Sequence, residues 1–153
     1  MTPGLISKKV IADRLDLVER MIGEIESLPL SSFKEFMGDR RNLWTAESCL
    51  RRSIEALLDI GRHILAKGFA IGVSEYKEIA LRLGELGILS HSEVELLKIL
   101  AGYRNRLVHF YYHEIGEEEL FRICKEQLGD LRKMREAYIR WVKNHPEKLN
   151  ERL

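Results

Sequence analysis

The nine residues Arg104-Asn-Arg-Leu-Val-His-Phe-Tyr-Tyr112 hold two arginines, an asparagine, a histidine and two tyrosines. Guanidinium groups recognise phosphate through a planar fork of donors. Imidazole is the side chain best suited to exchange protons near neutral pH. The segment falls where a long apolar helical pattern runs out, so its types and place point to phosphate chemistry at a helix end. If a helix continues through His109, Asn105 and Arg106 share its face at i,i+4 and i,i+3. Arg104 then points roughly 140° away from His109. Two arrangements bring them together: the helix unwinds near Val108, or a second copy of the chain supplies the missing group. A symmetric dimer would gather two arginines and two histidines in one cleft.

If the phosphate handled is that of an RNA strand, cleavage without metal uses the 2′-hydroxyl as nucleophile. It needs a base for that hydroxyl, positive charge on the phosphorane and an acid for the 5′-oxygen. His109 suits base or acid, and Arg104 suits the phosphate with Arg106 as helper. Asn105 can orient the imidazole or donate to a phosphate oxygen. Tyr111 can stack on a base or donate from its phenol. His109 and His113 stand at i,i+4, as in a zinc pair, but apart from Glu114 or Glu117 no third ligand is nearby, and no metal site is expected. Glu55 and Asp59, followed by Arg62 and His63, read from their one-turn spacing as a solvated face. The basic pairs Arg40-Arg41 and Arg51-Arg52, and Arg132, Lys133 and Arg135, could contact phosphates, but such clusters are usually surface charge.

The elements that must position these groups are helices. The chain has 153 residues, 45% apolar and 32% charged, with a formal net charge of +1. That composition suits one ordered domain, with a core over about residues 7–144 and a polar tail at 145–153. The charge balance excludes a whole-molecule pull on nucleic acid, so binding must rest on a local patch. No run approaches the roughly 18 apolar residues that span a bilayer. Cys49 and Cys124 have no CxxC spacing. Together with an N-terminus lacking a signal-like apolar run, they predict buried, reduced thiols in a cytoplasmic protein.

Ile11, Leu15, Val18, Ile22 and Ile25 recur in steps of four and three after Ser7, which predicts a first helix stopped by Pro29. Ser31 or Ser32 opens a short helical turn ended by Gly38. A second long helix is expected over about Asn42–Lys67, stopped by Gly68. Gly68–Val73 is expected to be the most mobile loop. Ser74 caps a third helix ending at Gly87. Ser90 or Ser92 caps a fourth, with Ser92 and Glu95 spaced as a capping box. One last helix is expected from Gly116 through Val142, ended at Asn144-His-Pro146. Trp44 and Trp141 are expected to anchor packing. No period-2 strand appears. The fold expected is all-α, an up-and-down bundle of four long helices with short extra ones.

Arg104, four residues, His109, one residue and Tyr111 form a pattern that resembles the HEPN superfamily of helical RNA-processing domains, and within it the HepT-like toxins. Glu55-Ala-Leu-Leu-Asp-Ile-Gly-Arg-His-Ile64 resembles the second helix of that family, and the resemblance implies a second reading of Glu55 and Asp59, as acids that fix the signature arginine. Ala80–Leu89 resembles its third, and Leu100–His109 its signature helix, so the likeness spans about Val10–Val142. It implies a metal-independent, homodimeric endoribonuclease with Arg104 and His109 at its centre and no cofactor. It also implies a minimal nucleotidyltransferase antitoxin that silences the toxin by adding AMP to Tyr111. AMP there would bring bulk and negative charge against RNA. The rival reading is a non-catalytic helical subunit that docks a nucleotidyltransferase and holds a nucleotide phosphate.

Overall fold

A computed structural model describes residues 3–109 and 114–150. Among these the regular elements are helices, with one isolated bridge between Ile6 and Leu149. The all-α expectation therefore holds. The four long helices are α1 (Lys8–Glu26), α3 (Arg40–His63), α5 (His91–Leu107) and α7 (Leu128–Asn144). Three shorter ones accompany them: α2 (Phe33–Met37), α4 (Tyr76–Glu85) and α6 (Glu117–Glu126).

Four of the helix starts have a side-chain cap. Ser7 Oγ accepts from the Val10 N–H at 3.2 Å and Ser32 Oγ from the Glu35 N–H at 3.1 Å, satisfying first-turn donors that a helix leaves open. Asp39 caps α3 by accepting from the Arg41 N–H at 2.9 Å, so this helix begins two residues earlier than expected. The capping box of α5 is Ser90 with Glu93 and not Ser92 with Glu95. Both serines stand three residues before a glutamate. The register is set by Ile88 and Leu89, whose N–H groups bond the Leu83 carbonyl and fix the turn that enters the helix. Glu75, and not Ser74, precedes α4, and no side chain caps it.

α3 is the centre of the molecule, packed against each of the other six α-helices. Leu50, Ile54, Leu57, Leu58 and Ile60 are at most 1% exposed, and the buried apolar side chains form one continuous cluster. Beyond His63 the chain continues as a single π-helical turn, Ile64–Gly68. The next segment, expected to be mobile, is anchored: Ile71 N–H bonds the Leu65 carbonyl at 2.9 Å, and Phe69, Ile71 and Val73 pack on the core.

The single last helix predicted from Gly116 is two helices, broken at Gln127. The apolar stripe through Ile123, Cys124, Leu128 and Leu131 runs across the break without losing step, so periodicity could not reveal it. The two halves follow different neighbours, α6 against α2 and α3, and α7 against α1, α3 and α5. The Tyr103 hydroxyl donates to Gln127 Oε1 at 2.9 Å at the break.

Trp141 is buried, stacked on His145 with ring centres 4.6 Å apart. Trp44 is 51% exposed and is not an anchor of this core. Cys49 and Cys124 are buried and unbonded to one another, and burial pushes the Cys124 thiol up to about 12. The C-terminal tail is partly structured: Pro146–Lys148 form a 3-10 turn, and Ile6 N–H and Asn150 N–H close the bridge through the Lys148 and Ile6 carbonyls.

Candidate active site at the end of helix α5

Leu100, Ala101 and Leu107 define the buried face of α5. Arg104 lies four, three and three residues from them, so helix geometry turns it toward the protein and not toward solvent. There it meets two other helices. Its Nη2 donates to Glu55 Oε2 on α3 at 3.3 Å, and its Cζ sits 4.8 Å from the ring centre of Tyr76, the first residue of α4. Its Nη1 is 3.5 Å from Asn105 Oδ1. The side chain keeps 23% of its exposure, enough for a ligand to reach it.

Glu55 also accepts from Arg51 Nη1 at 3.0 Å, so one carboxylate ties two guanidiniums. Of the two readings open for the acids of α3, Glu55 is therefore the arginine's partner. Asp59 stands one turn further along, 3.7 Å from Arg14 and 3.9 Å from Arg62. Burial pushes its carboxyl up, against the opposing pull of Arg14 and Arg62.

α5 ends at Leu107, with Val108 as its cap. The His109 N–H then reaches the Arg106 carbonyl at 3.2 Å in a tighter turn. Thus the regular helix stops just before His109. His109, Asn105 and Val108 are exposed. Tyr111, the other residue singled out, lies outside the described residues, as does His113.

Arg106 turns the opposite way from Arg104. Its Nη1 donates to Glu119 Oε2 at 2.8 Å, and its Nε and Nη2 to the Glu114 carbonyl at 3.2 and 3.0 Å. This fork is filled within the chain, and Arg106 joins the end of α5 to the start of α6. The hydrogen bond from Arg106 holds the Glu119 carboxyl below its usual range. Two of the other basic residues are likewise engaged. Arg132 bonds Glu26 and Glu19, and Arg135 the Leu15 carbonyl, which pins α7 to α1.

Tyr76 is the neighbour of Arg104 that sequence reasoning missed. Its ring also carries Arg62, whose Cζ is 5.3 Å from the ring centre. Such contacts stabilise by about 0.5–1 kcal/mol when exposed and more when desolvated. An open cavity of 350 Å³ lies beside the ring, lined by Ser74, Glu75, Tyr76, Lys77 and Asn105. Nothing local marks Tyr76, since only the folded approach of α4 to α3 and α5 gives it a role.

The described residues form an all-helical scaffold that presents a tethered arginine and an exposed histidine at one helix end. The sequence profile of the Ribonuclease HepT-like family matches residues 18–138, and the chain belongs to that family of ribonucleases. The tRNA nuclease HepT of Aphanizomenon flos-aquae (strain 2012/KM1/D3) is 27% identical over 116 residues, covering 76% of this chain and 78% of the relative. A tri-AMPylated HEPN toxin of Shewanella oneidensis, solved in complex with an MNT antitoxin, shares the fold with a TM-score of 0.75 at 20% identity, over 86% of this chain and 97% of the other. YutE of Bacillus subtilis, a cytosolic protein of unknown function, has a TM-score of 0.73 at 20% identity over 92% and 93% of the two chains. Among the described residues no helix is long and apolar enough to cross a membrane.

Proposed function

We propose that the chain is a metal-independent endoribonuclease toxin whose centre combines Arg104 and His109 across a homodimer cleft. The observation that carries this reading is the state of Arg104. Glu55 and Tyr76 hold the guanidinium at the protein surface, partly exposed, at the helix end that bears Asn105 and His109. A cation fixed before substrate arrives stabilises developing negative charge without reorganising.

In this reading Arg104 and Asn105 hold the phosphate. His109 takes the proton of the 2′-hydroxyl, whose oxygen forms a bond to phosphorus. The bond from phosphorus to the 5′-oxygen breaks, and His109 of the partner subunit protonates that oxygen. Arg106 supports the site by joining α5 to α6. Transfer RNA is the substrate class suggested by the Aphanizomenon relative. The regulator is a nucleotidyltransferase antitoxin that adds AMP to Tyr111, in keeping with the AMPylated Shewanella relative.

Incubation of the purified protein with tRNA in EDTA tests the reading. Cleavage is expected to persist and to vanish in Arg104→Ala and His109→Ala proteins that remain folded and dimeric. Cleavage lost in EDTA and restored by zinc would overturn it. Co-expression with the nucleotidyltransferase should add AMP-sized mass increments that Tyr111→Phe removes.

A further inference from the structure

Arg62 differs from the other engaged arginines near the site. Arg51 and Arg106 each spend their donors on short bonds to oxygen at 2.8–3.2 Å. Arg62 approaches Asp59 only to 3.9 Å, beyond hydrogen-bond length, and no hydrogen bond among the described residues fills its fork. Asp59 is shared with Arg14 at 3.7 Å and is similarly loose there. Yet Arg62 is not adrift. It lies over Tyr76 at 5.3 Å, on the ring that also carries Arg104 at 4.8 Å. The Nε atoms of Arg62 and Arg104 are both buried without a partner, so solvent does not compensate them. Arg62 keeps its whole Nη edge, and Arg104 keeps the Nη hydrogens not given to Glu55 and Asn105.

Two like charges gathered on one ring repel, and the surrounding acids do not cancel them. Arg51 is carried mainly by Glu47 at 2.8 Å, which leaves Arg14, Arg62 and Arg104 facing Glu55 and Asp59, three cations against two acids. A local surplus of positive charge with unspent planar donors fits an anion with more than one phosphate. The net charge of the whole chain is only +1, so this concentration is not an incidental part of a basic surface.

We propose that Arg62 is a second phosphate-binding residue. Paired with Arg104 on Tyr76, it forms a clamp for two neighbouring phosphates of one RNA strand. Tyr76 is the positioning residue that sets their separation. The proposal rests on the reading of Arg104 as the ligand of the scissile phosphate, and extends it by one nucleotide along the strand.

The test measures binding apart from cleavage. A fluorescent single-stranded oligonucleotide whose 2′-hydroxyls are replaced by hydrogen cannot be cut, and its Kd is followed against salt concentration. Each phosphate contact on a single strand contributes about 0.7 to the slope of log affinity against log salt. Arg62→Gln is expected to flatten the slope by about that amount and to weaken binding severalfold. On cleavable RNA it is expected to raise KM more than it lowers kcat, with Arg62→Lys recovering part of the loss. Tyr76→Leu should flatten the slope and Tyr76→Phe, which keeps the ring, should restore it. Unchanged affinity and slope in folded Arg62→Gln would overturn the proposal, as would a fall in kcat alone. If Arg104→Gln leaves the slope untouched while Arg62→Gln flattens it, the reading of Arg104 fails and the contact at Arg62 stands.

Discussion

The Glu55 carboxylate and the Arg104 guanidinium meet at 3.3 Å, forty-nine residues apart in the chain, and join the middle of α3 to the last turn of α5. Glu55 fixes the direction of the arginine's fork. Glu55→Gln keeps the size of the side chain but removes its charge. The expected result is a fall in kcat of about tenfold or more, because a small misplacement of a positioning group is costly to reaction rate. Circular dichroism should remain that of the wild type. A variant with unchanged kcat would show that Arg104 is oriented without Glu55.

Arg106→Ala should behave differently from Arg104→Ala. The donors of Arg106 are committed to Glu119 and the Glu114 carbonyl, so its loss loosens the junction of α5 and α6. The pair is partly exposed, and its contribution to stability is about 1 kcal/mol or less. Cleavage by Arg106→Ala should therefore exceed cleavage by Arg104→Ala by at least about tenfold, the rate equivalent of 1.36 kcal/mol. Equal loss in both variants would assign Arg106 to the phosphate directly.

Acid should weaken the fold through His63. Its Nε2 accepts from the Ser7 N–H at 3.0 Å, which requires the neutral ring. Burial, then Lys67 and Arg14, lower its pKa below the ordinary 6.5. As pH falls below about 6.5, the unfolded chain takes up a proton that the folded chain refuses, so stability declines until the folded ring also titrates. Urea midpoints at pH 7.5, 6.5 and 5.5 should fall in the wild type and fall less steeply in His63→Gln. The site can contribute at most about 1.4 kcal/mol per pH unit. Parallel profiles would remove His63 from the account.

Close packing at Gly61 gives a coupled prediction. A Cβ there would lie 2.8 Å from Ile79 Cγ2, 2.8 Å from Leu83 Cδ1 and 2.9 Å from Tyr138 Oη. Gly61→Ala should lose about 1–3 kcal/mol from overpacking, less whatever the better helix former returns. Tyr138 is fully buried with its hydroxyl unpartnered, so Tyr138→Phe should be neutral or mildly stabilising. The double variant should lose less than the sum of the two, because one of the three clashes has gone. Strict additivity in urea denaturation would contradict this geometry.

Helix stripes and the Arg104–His109 segment were legible because both are local. Periodicity reports a buried face directly, and dense polar chemistry stands out against it. The acids of α3 were legible as alternatives, since their one-turn spacing shows a shared face but not what faces it. Tyr76 was illegible. Its role arises only when α4 folds against α3 and α5, and neither spacing nor composition records that approach. The cap of α5 was ambiguous because Ser90-x-x-Glu93 and Ser92-x-x-Glu95 satisfy the same rule, and the tie is broken by backbone bonds to Leu83. Trp44 failed as a predicted anchor because a large aromatic side chain beside a buried leucine need not share its face.

The bridge between Ile6 and Leu149 runs parallel, so the segment leading into Ile6 and the segment leaving Leu149 lie on opposite sides of it along the strand direction. Tension applied to both ends would drag one segment lengthwise past the other and strain the Ile6–Lys148 and Asn150–Ile6 bonds together. Mechanical opening would then begin by sliding and not by peeling, with Gly4 on the Lys67 carbonyl transmitting load to the end of the π-helical turn.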